Sequence, residues 1–312
     1  LLESIRDEGI PLAALQASEG AIYSRFGFGP AARALRLRLE LSRVQLPAGT
    51  DAGRLQLVGR ELALSLLPQV HQRLVRARPG VVARGEFAWR QLMADDDPHG
   101  QRERGPLFHL VHTWRGRPEG YVLYRIRPAW KETGPDACLQ IVEMASLTSR
   151  AASALWRHCL AVDLVRQVEA TELGAWRPED EPLLWLATDH QAVSATLGTP
   201  LWVRINDVRH SLEQRRYQAD GELTFELRRG AGSKEARCYR LEVRRGRGRC
   251  RPASGPPELS LGLPELSSAY LGQRCLAQMA RAGRVTEHRA GTARAADELL
   301  SWDPPPWCFE DL

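Results

Sequence analysis

The chain has 312 residues, of which 43% are hydrophobic and 26% charged, and carries a formal net charge of +5. That length exceeds what one hydrophobic core ordinarily serves and implies two or three globular domains, while no apolar run approaches the ~20 residues of a membrane-spanning helix. The positive charge rests on arginine, with only Lys131 and Lys234 as lysines; it is dispersed along the chain, which ranks a nucleic-acid binder behind a solvated arginine-rich surface.

Leu1 to Glu8 reads as the end of a helix stopped by Gly9. The opening has no Met and no secretory leader, so the sequence is expected to be the greater part of a longer one. Pro11 to Ala17 reads as a short apolar strand. Ser18 is the expected N-cap of a helix running to Gly27, with Glu19 in its first turn. A period-two strand follows, with Leu35, Leu37, Leu39 and Leu41 facing one way and Arg36, Arg38, Glu40 and Ser42 the other. Pro47 to Gly53 marks a boundary.

Glu61 to Val75 is helical by pattern, and Asp95 to Pro98 is an acidic loop. Leu107–Trp114 and Tyr121–Ile126 read as strands joined by a turn at Arg117–Gly120. Leu139–Met144 is a third strand, feeding a helix capped by Thr148. A third unit begins near Leu201, with a strand at Trp202–Ile205 and a helix at Ser211–Tyr217. Alternation at Leu223, Phe225 and Leu227 marks another strand, Tyr239–Val243 extends its sheet, and two or three helices lie between Leu266 and Trp302. The fold class is α+β, in three units at 1–53, 54–200 and 201–312. The terminal Pro304-Pro305-Pro306-Trp307-Cys308-Phe309-Glu310-Asp311-Leu312 is stiff and aromatic, a tail expected to pack against the body.

None of the six cysteines forms a C-x-x-C pair, which fits a reducing cytoplasm. The eight histidines show no zinc-ligand spacing, so no metal is expected. No G-x-S-x-G elbow, Walker loop or dinucleotide fingerprint is present. Arg244 to Arg249 resembles a glycine-rich phosphate loop, but Cys250-Arg251-Pro252 cannot open a helix, and the run is read as a strand connection.

The stretch with chemistry in it is Ser18-Glu19-Gly20-Ala21-Ile22-Tyr23-Ser24-Arg25-Phe26-Gly27-Phe28-Gly29. A strand leads into a helix that presents a tyrosine and offers free N–H groups at its start. From spacing alone Tyr23 is equally well a core tyrosine of an amphipathic helix, and the tail a docking strand with no catalytic part.

This stretch resembles the signature of the enhanced-intracellular-survival family of GNAT N-acetyltransferases. So do Ala154-Leu155-Trp156-Arg157, Asp180 to Leu186, Leu201 to Val208 with Arg215-Arg216-Tyr217, Leu261 to Leu271, and Pro306-Trp307-Cys308. The resemblance covers essentially the whole chain. It implies that residues 1–53 are the C-terminal part of a catalytic GNAT domain, 54–200 a degenerate second GNAT domain and 201–312 a sterol-carrier-protein-like domain. It also implies a homo-hexamer that transfers acetyl from acetyl-CoA to amines of aminoglycoside-like polyamines or lysines.

In that mechanism Tyr23 is the general acid and the terminal carboxylate, here on Leu312, the general base. Ser18 and Glu19 face the cofactor; Gln16, Glu310 and Asp311 face the cationic amine. The family's pyrophosphate loop belongs just upstream of Leu1, so residues 1–312 alone are expected to bind acetyl-CoA poorly. The middle unit has Ala145 to Arg150 at the corresponding junction, without glycine, and is expected to bind no CoA. Two residues depart from the family pattern: Leu312 stands in place of a terminal phenylalanine, and Gln16 where some relatives have histidine. The competing reading from another class is a binding module holding an apolar ligand in its third unit, without turnover.

Overall fold

Helix α1 (Gly20–Ser24) is flanked by strands β1 (Leu12–Leu15) and β2 (Gly29–Glu40) in a computed structural model that describes residues 8–47, 53–94, 105–228 and 236–310. The expected first helix, the acidic loop, most of the Pro47–Gly53 boundary, Asp311 and Leu312 lie outside the described residues. The leucine alternation is real: Leu35, Leu37 and Leu39 are buried, and Arg36, Arg38 and Glu40 exposed. β2 starts well before that alternation because Ala31, Ala32 and Ala34 are buried too.

After β3 (Arg54–Leu57) come helices α2 (Arg60–Ala77) and α3 (Glu86–Leu92). Next are β4 (Phe108–Trp114), β5 (Arg117–Arg127), β6 (Ala137–Ser146), helix α4 (Ser149–Leu160), β7 (Val165–Ala170) and β8 (Val193–Ile205). These eight strands form one sheet in the order β1-β8-β2-β7-β6-β5-β4-β3, and a ninth, Arg177–Pro178, pairs with β2 off that path. β8 is antiparallel to both β1 and β2 and lies between them. The chain therefore leaves after β2, builds the middle unit, and returns to complete its first sheet. The boundary expected at Leu201 falls inside this strand. Its first half alternates apolar and polar residues only from Val193 to Leu197, and the register shifts between Gly198 and Leu201.

Both faces of the sheet are covered, which makes the middle an α/β sandwich. Along β5, Tyr121 and Leu123 pack with α2, while Val122 and Tyr124 pack with α4. The β4–β5 turn is Arg115-Gly116, with φ of 49° and 75°, and not Arg117–Gly120. Those angles are the tight two-residue hairpin geometry, and they leave Pro118 inside the strand.

The C-terminal unit holds α5 (Val208–Gln214) and strands β9 (Gly221–Arg228), β10 (Ala236–Arg244), β11 (Arg247–Pro252) and β12 (Leu259–Gly262). Helices α6 (Leu263–Ala269), α7 (Leu276–Arg281) and α8 (Thr292–Leu300) follow. The arginine-glycine run forms the β10–β11 hairpin, turning at Arg245 and Gly246 with φ of 52° and 73°. Asp297 caps α7 from α8, accepting from the N–H groups of Cys275, Leu276 and Ala277. Leu266 of α6 shares a core with Ala31, Ala32, Leu201 and Val203, so this unit packs directly on β2 and β8.

From Ser301 the tail crosses back to the middle unit. Trp307 donates its backbone N–H to Pro79 O at 3.0 Å and its indole N–H to Trp176 O at 2.9 Å. Gly80 allows this approach: its φ is +89°, and a Cβ there would stand 2.7 Å from the carbonyl oxygen of Trp307. Trp307 and Phe309, both almost fully buried, complete the α2-side core.

Candidate active site

Gln16 is the first residue beyond β1, and its side-chain amide donates to the backbone carbonyl of Glu310, 294 residues later. The C-terminal tail thus meets the end of the strand that feeds α1. Ser18 and Glu19 are exposed, Gln16 and Tyr23 half-buried. Ser18 is not the N-cap: Glu19 holds that position, with extended backbone and no side-chain cap. No side chain therefore closes the first turn of α1, and its leading N–H groups are left for solvent or a ligand. The helix lies against β8, where a Cβ on Gly20 would stand 2.8 Å from the Trp202 ring. Tyr23 meets Phe28 edge-on, with ring centroids 6.1 Å apart.

Glu310 does not offer its carboxylate to a cationic amine. It is buried and paired with protein groups. Arg84 donates from Nε to Glu310 Oε2 at 2.6 Å, and His71 Nε2 lies 2.9 Å from Oε1. Arg84 also holds Glu143 through two bonds of 2.9 and 2.6 Å, and the Tyr121 hydroxyl donates to the same carboxylate. His71, Tyr121 and Glu143 are essentially fully buried. Burial disfavours the charge on Arg84, but the Glu143 charge and its hydrogen bonds outweigh it and hold the guanidinium above its ordinary value. Burial, then Glu143, pushes the Tyr121 phenol well above its usual range, so it stays a donor. Of the other predicted site residues, Asp311 and Leu312 are outside the described residues.

Sequence reasoning passed over this buried set. Two signals were available. Glu143 interrupts an apolar strand covered on both faces, and His71 sits among Ala63, Leu67, Val70 and Leu74 on the buried face of α2. An isolated charge or imidazole in such a position requires a partner.

The corresponding junction of the middle unit, between β6 and α4, is closed. Thr148 caps α4, accepting from Ala151 N–H at 3.3 Å, and donates to Glu119 at 3.1 Å. Hydrogen bonding from Arg150 holds the Glu119 carboxyl below its usual value. Among the described residues, no group of three or more His, Cys, Asp and Glu is arranged to hold a metal ion.

Behind α1, away from Gln16, a cleft of about 1170 Å³ opens between Ser24–Gly27, Arg204–Arg209 and the C-terminal sheet. Arg25, Arg204, Arg209, Arg228, Arg237 and Arg284 line it against Asp207 and Glu265. That sign is wrong for a polycationic amine.

A two-faced α/β sandwich is thus fused to a second α+β unit. An Acetyltransferase (GNAT) domain model matches residues 80–205, and a Sterol carrier protein domain model matches 208–309. An uncharacterized N-acetyltransferase of Streptomyces coelicolor is 35% identical over 98% of this chain and 73% of its own length. The N-acetyltransferase Eis of Mycobacterium tuberculosis is 30% identical over 96% of this chain and 72% of its own. Among solved structures, Eis1 from Mycobacterium abscessus superposes with a TM-score of 0.77 at 27% identity, covering all of this chain and 75% of that one. A GCN5-related N-acetyltransferase from Anabaena variabilis shares the fold, with a TM-score of 0.78 at 18% identity. The chain belongs to the enhanced-intracellular-survival family of GNAT N-acetyltransferases and is an acetyltransferase enzyme. Membership implies acetyl-CoA as the donor and an amine as the acceptor. Among the described residues, no helix is long and apolar enough to cross a membrane.

Proposed function

We propose that this enzyme acetylates amines of polycationic acceptors, aminoglycoside-like polyamines or lysine side chains, with Tyr23 as general acid and the Leu312 carboxylate as general base. The single observation that carries this reading is the hydrogen bond from Gln16 to the Glu310 carbonyl. It joins the end of the chain to the segment that leads into the Tyr23 helix. Leu312 stands two residues beyond Glu310, and two residues of extended chain reach at most ~7 Å.

An amine is protonated at neutral pH and attacks only after losing that proton. The terminal carboxylate accepts it, the amine nitrogen bonds to the thioester carbonyl carbon, and the carbon–sulfur bond of the tetrahedral intermediate then breaks. Tyr23 donates its hydroxyl proton to the departing thiolate and is reprotonated through solvent, while the nitrogen sheds its second proton to solvent to give the neutral amide. Each such transfer is worth about 10²–10⁴-fold. Ser18, Glu19 and the open first turn of α1 border the donor, while Asp311 adds negative charge for the acceptor. Residues up to 53 belong to the catalytic GNAT unit, 54–200 to the degenerate one and 201–312 to the sterol-carrier-like one, with β8 returning to the catalytic sheet. The enzyme works as a cytoplasmic homo-hexamer.

Tyr23→Phe in the full-length protein tests the acid. The expected result is a fall in kcat on the order of 10²-fold or more, with melting temperature and acetyl-CoA affinity unchanged. Unaltered turnover removes Tyr23 from the mechanism.

A further inference from the structure

We propose that Arg204 and Ser267 are positioning residues: from β8 and from the C-terminal unit they hold the closing turn of α1 and so fix where the Tyr23 phenol stands, an inference that rests on the reading of Tyr23 as the acid. A helix of five residues with no side-chain cap at its start does not fix a side chain by itself. The closing turn supplies the first support. The Tyr23 carbonyl accepts from the amides of Phe26 and Phe28 at 3.0 and 3.3 Å, and Gly27 donates to the Ser24 carbonyl at 3.1 Å. Gly27 makes that closure with φ of 88°, and the chain then brings the Phe28 ring edge-on to the phenol. The phenol therefore goes where residues 26–28 go.

Those residues are gripped from outside α1. Arg204 donates from Nε to the Phe26 carbonyl at 2.6 Å and from Nη1 to Asn206. Ser267 donates its hydroxyl to the Gly27 carbonyl at 3.2 Å while accepting from the Ile205 N–H at the same distance, which ties the turn to β8. Ser267 is fully buried and Arg204 nearly so. Trp202, two residues before Arg204 and on the same face of β8, lies under Gly20 at the other end of the helix. Alternate residues of one strand thus reach both ends of α1, and Ser267 brings in α6. Water satisfies the last carbonyls of most short surface helices. Here a guanidinium and a hydroxyl on two different elements take them, and a charge-assisted donor adds direction as well as energy.

The test uses Arg204→Met and Ser267→Ala in the full-length enzyme, each alone and combined with Tyr23→Phe. Amide exchange at Phe28, whose N–H closes on the Tyr23 carbonyl, reads the turn; kcat and KM read the chemistry. The expected result in Arg204→Met is exchange faster by on the order of tenfold, the worth of one charge-assisted hydrogen bond, with a smaller rise in Ser267→Ala. The kcat should fall by about ten- to a hundredfold, with KM for acetyl-CoA within about twofold, because small misplacements cost that much. On the Tyr23→Phe background neither substitution should lower kcat further. Unchanged exchange, parental kcat, or losses that multiply with Tyr23→Phe overturns the positioning role. Should Arg204→Met fail to fold, Ser267→Ala, which removes one hydroxyl from the same turn, is judged by the same outcomes. If Tyr23→Phe alone keeps parental turnover, the acid reading falls and this inference with it. If Tyr23→Phe is inactive and the Arg204 and Ser267 variants keep parental exchange, only the clamp falls.

Discussion

The two strand-to-helix junctions of this molecule have been treated oppositely. After β6 the chain caps its own helix: Thr148 serves Ala151, Glu119 ties down Thr148 and Arg150, and α4 buries Trp156 and Cys159. After β1 it does none of this. α1 is five residues long, has no side-chain cap and buries no residue fully, and it presents Tyr23 half-exposed. A helix that satisfies its own N-terminus has nothing left to offer a ligand. On the proposed mechanism that difference separates scaffold from site, although both junctions belong to one continuous sheet.

The contrast breaks most visibly at the buried Trp156 and at Tyr23, the proposed acid. Trp156→Ala should cost about 3–5 kcal/mol in denaturant unfolding, since it empties a core position and strips Glu181 of the indole N–H at 2.8 Å. Tyr23→Phe should leave the same unfolding curve within about 0.5 kcal/mol while removing turnover. A large stability loss from Tyr23→Phe would make α1 scaffold as well. Next comes capping: Thr148→Ala should destabilise by about 1 kcal/mol, whereas Ser18→Ala, which caps nothing, should leave unfolding unchanged. A stability loss at Ser18 would erase the distinction.

The smallest effect is one of pH. Burial pushes the Cys308 thiol up to about 11 and that of Cys159 up to about 12. Both stay protonated in the folded protein after their unfolded counterparts, near 9, have ionised. Between pH 9 and 11 the native state therefore binds more protons, and stability falls as pH rises. Thermal melting across pH 8–11 should decline over that window, and less so in Cys159→Ala normalised to its own neutral-pH value.

Much of this was legible in the chain because local pattern and tertiary role coincide. The β2 leucines alternate because one face is buried, and Thr148 is a cap by type and by place. The α+β class was read from the order of the elements, and the matches to a GNAT domain and a sterol carrier protein domain agree with it. What was illegible depends on pairing across long stretches of sequence. Val193–Leu197 alternates like a strand, but nothing in it names its partner, because β2 lies more than 150 positions earlier. Glu310 looks like a free tail acid until Arg84 and His71 are folded onto it. Trp185, which by type reads as a core or interface aromatic, stands 83% exposed.

The central claim is that the free end of the polypeptide takes part in chemistry at the Tyr23 helix. Appending a single residue after Leu312 in the full-length enzyme displaces that carboxylate. The account predicts loss of acetyl transfer with unaltered melting and unaltered acetyl-CoA binding. Parental turnover from the lengthened chain contradicts it.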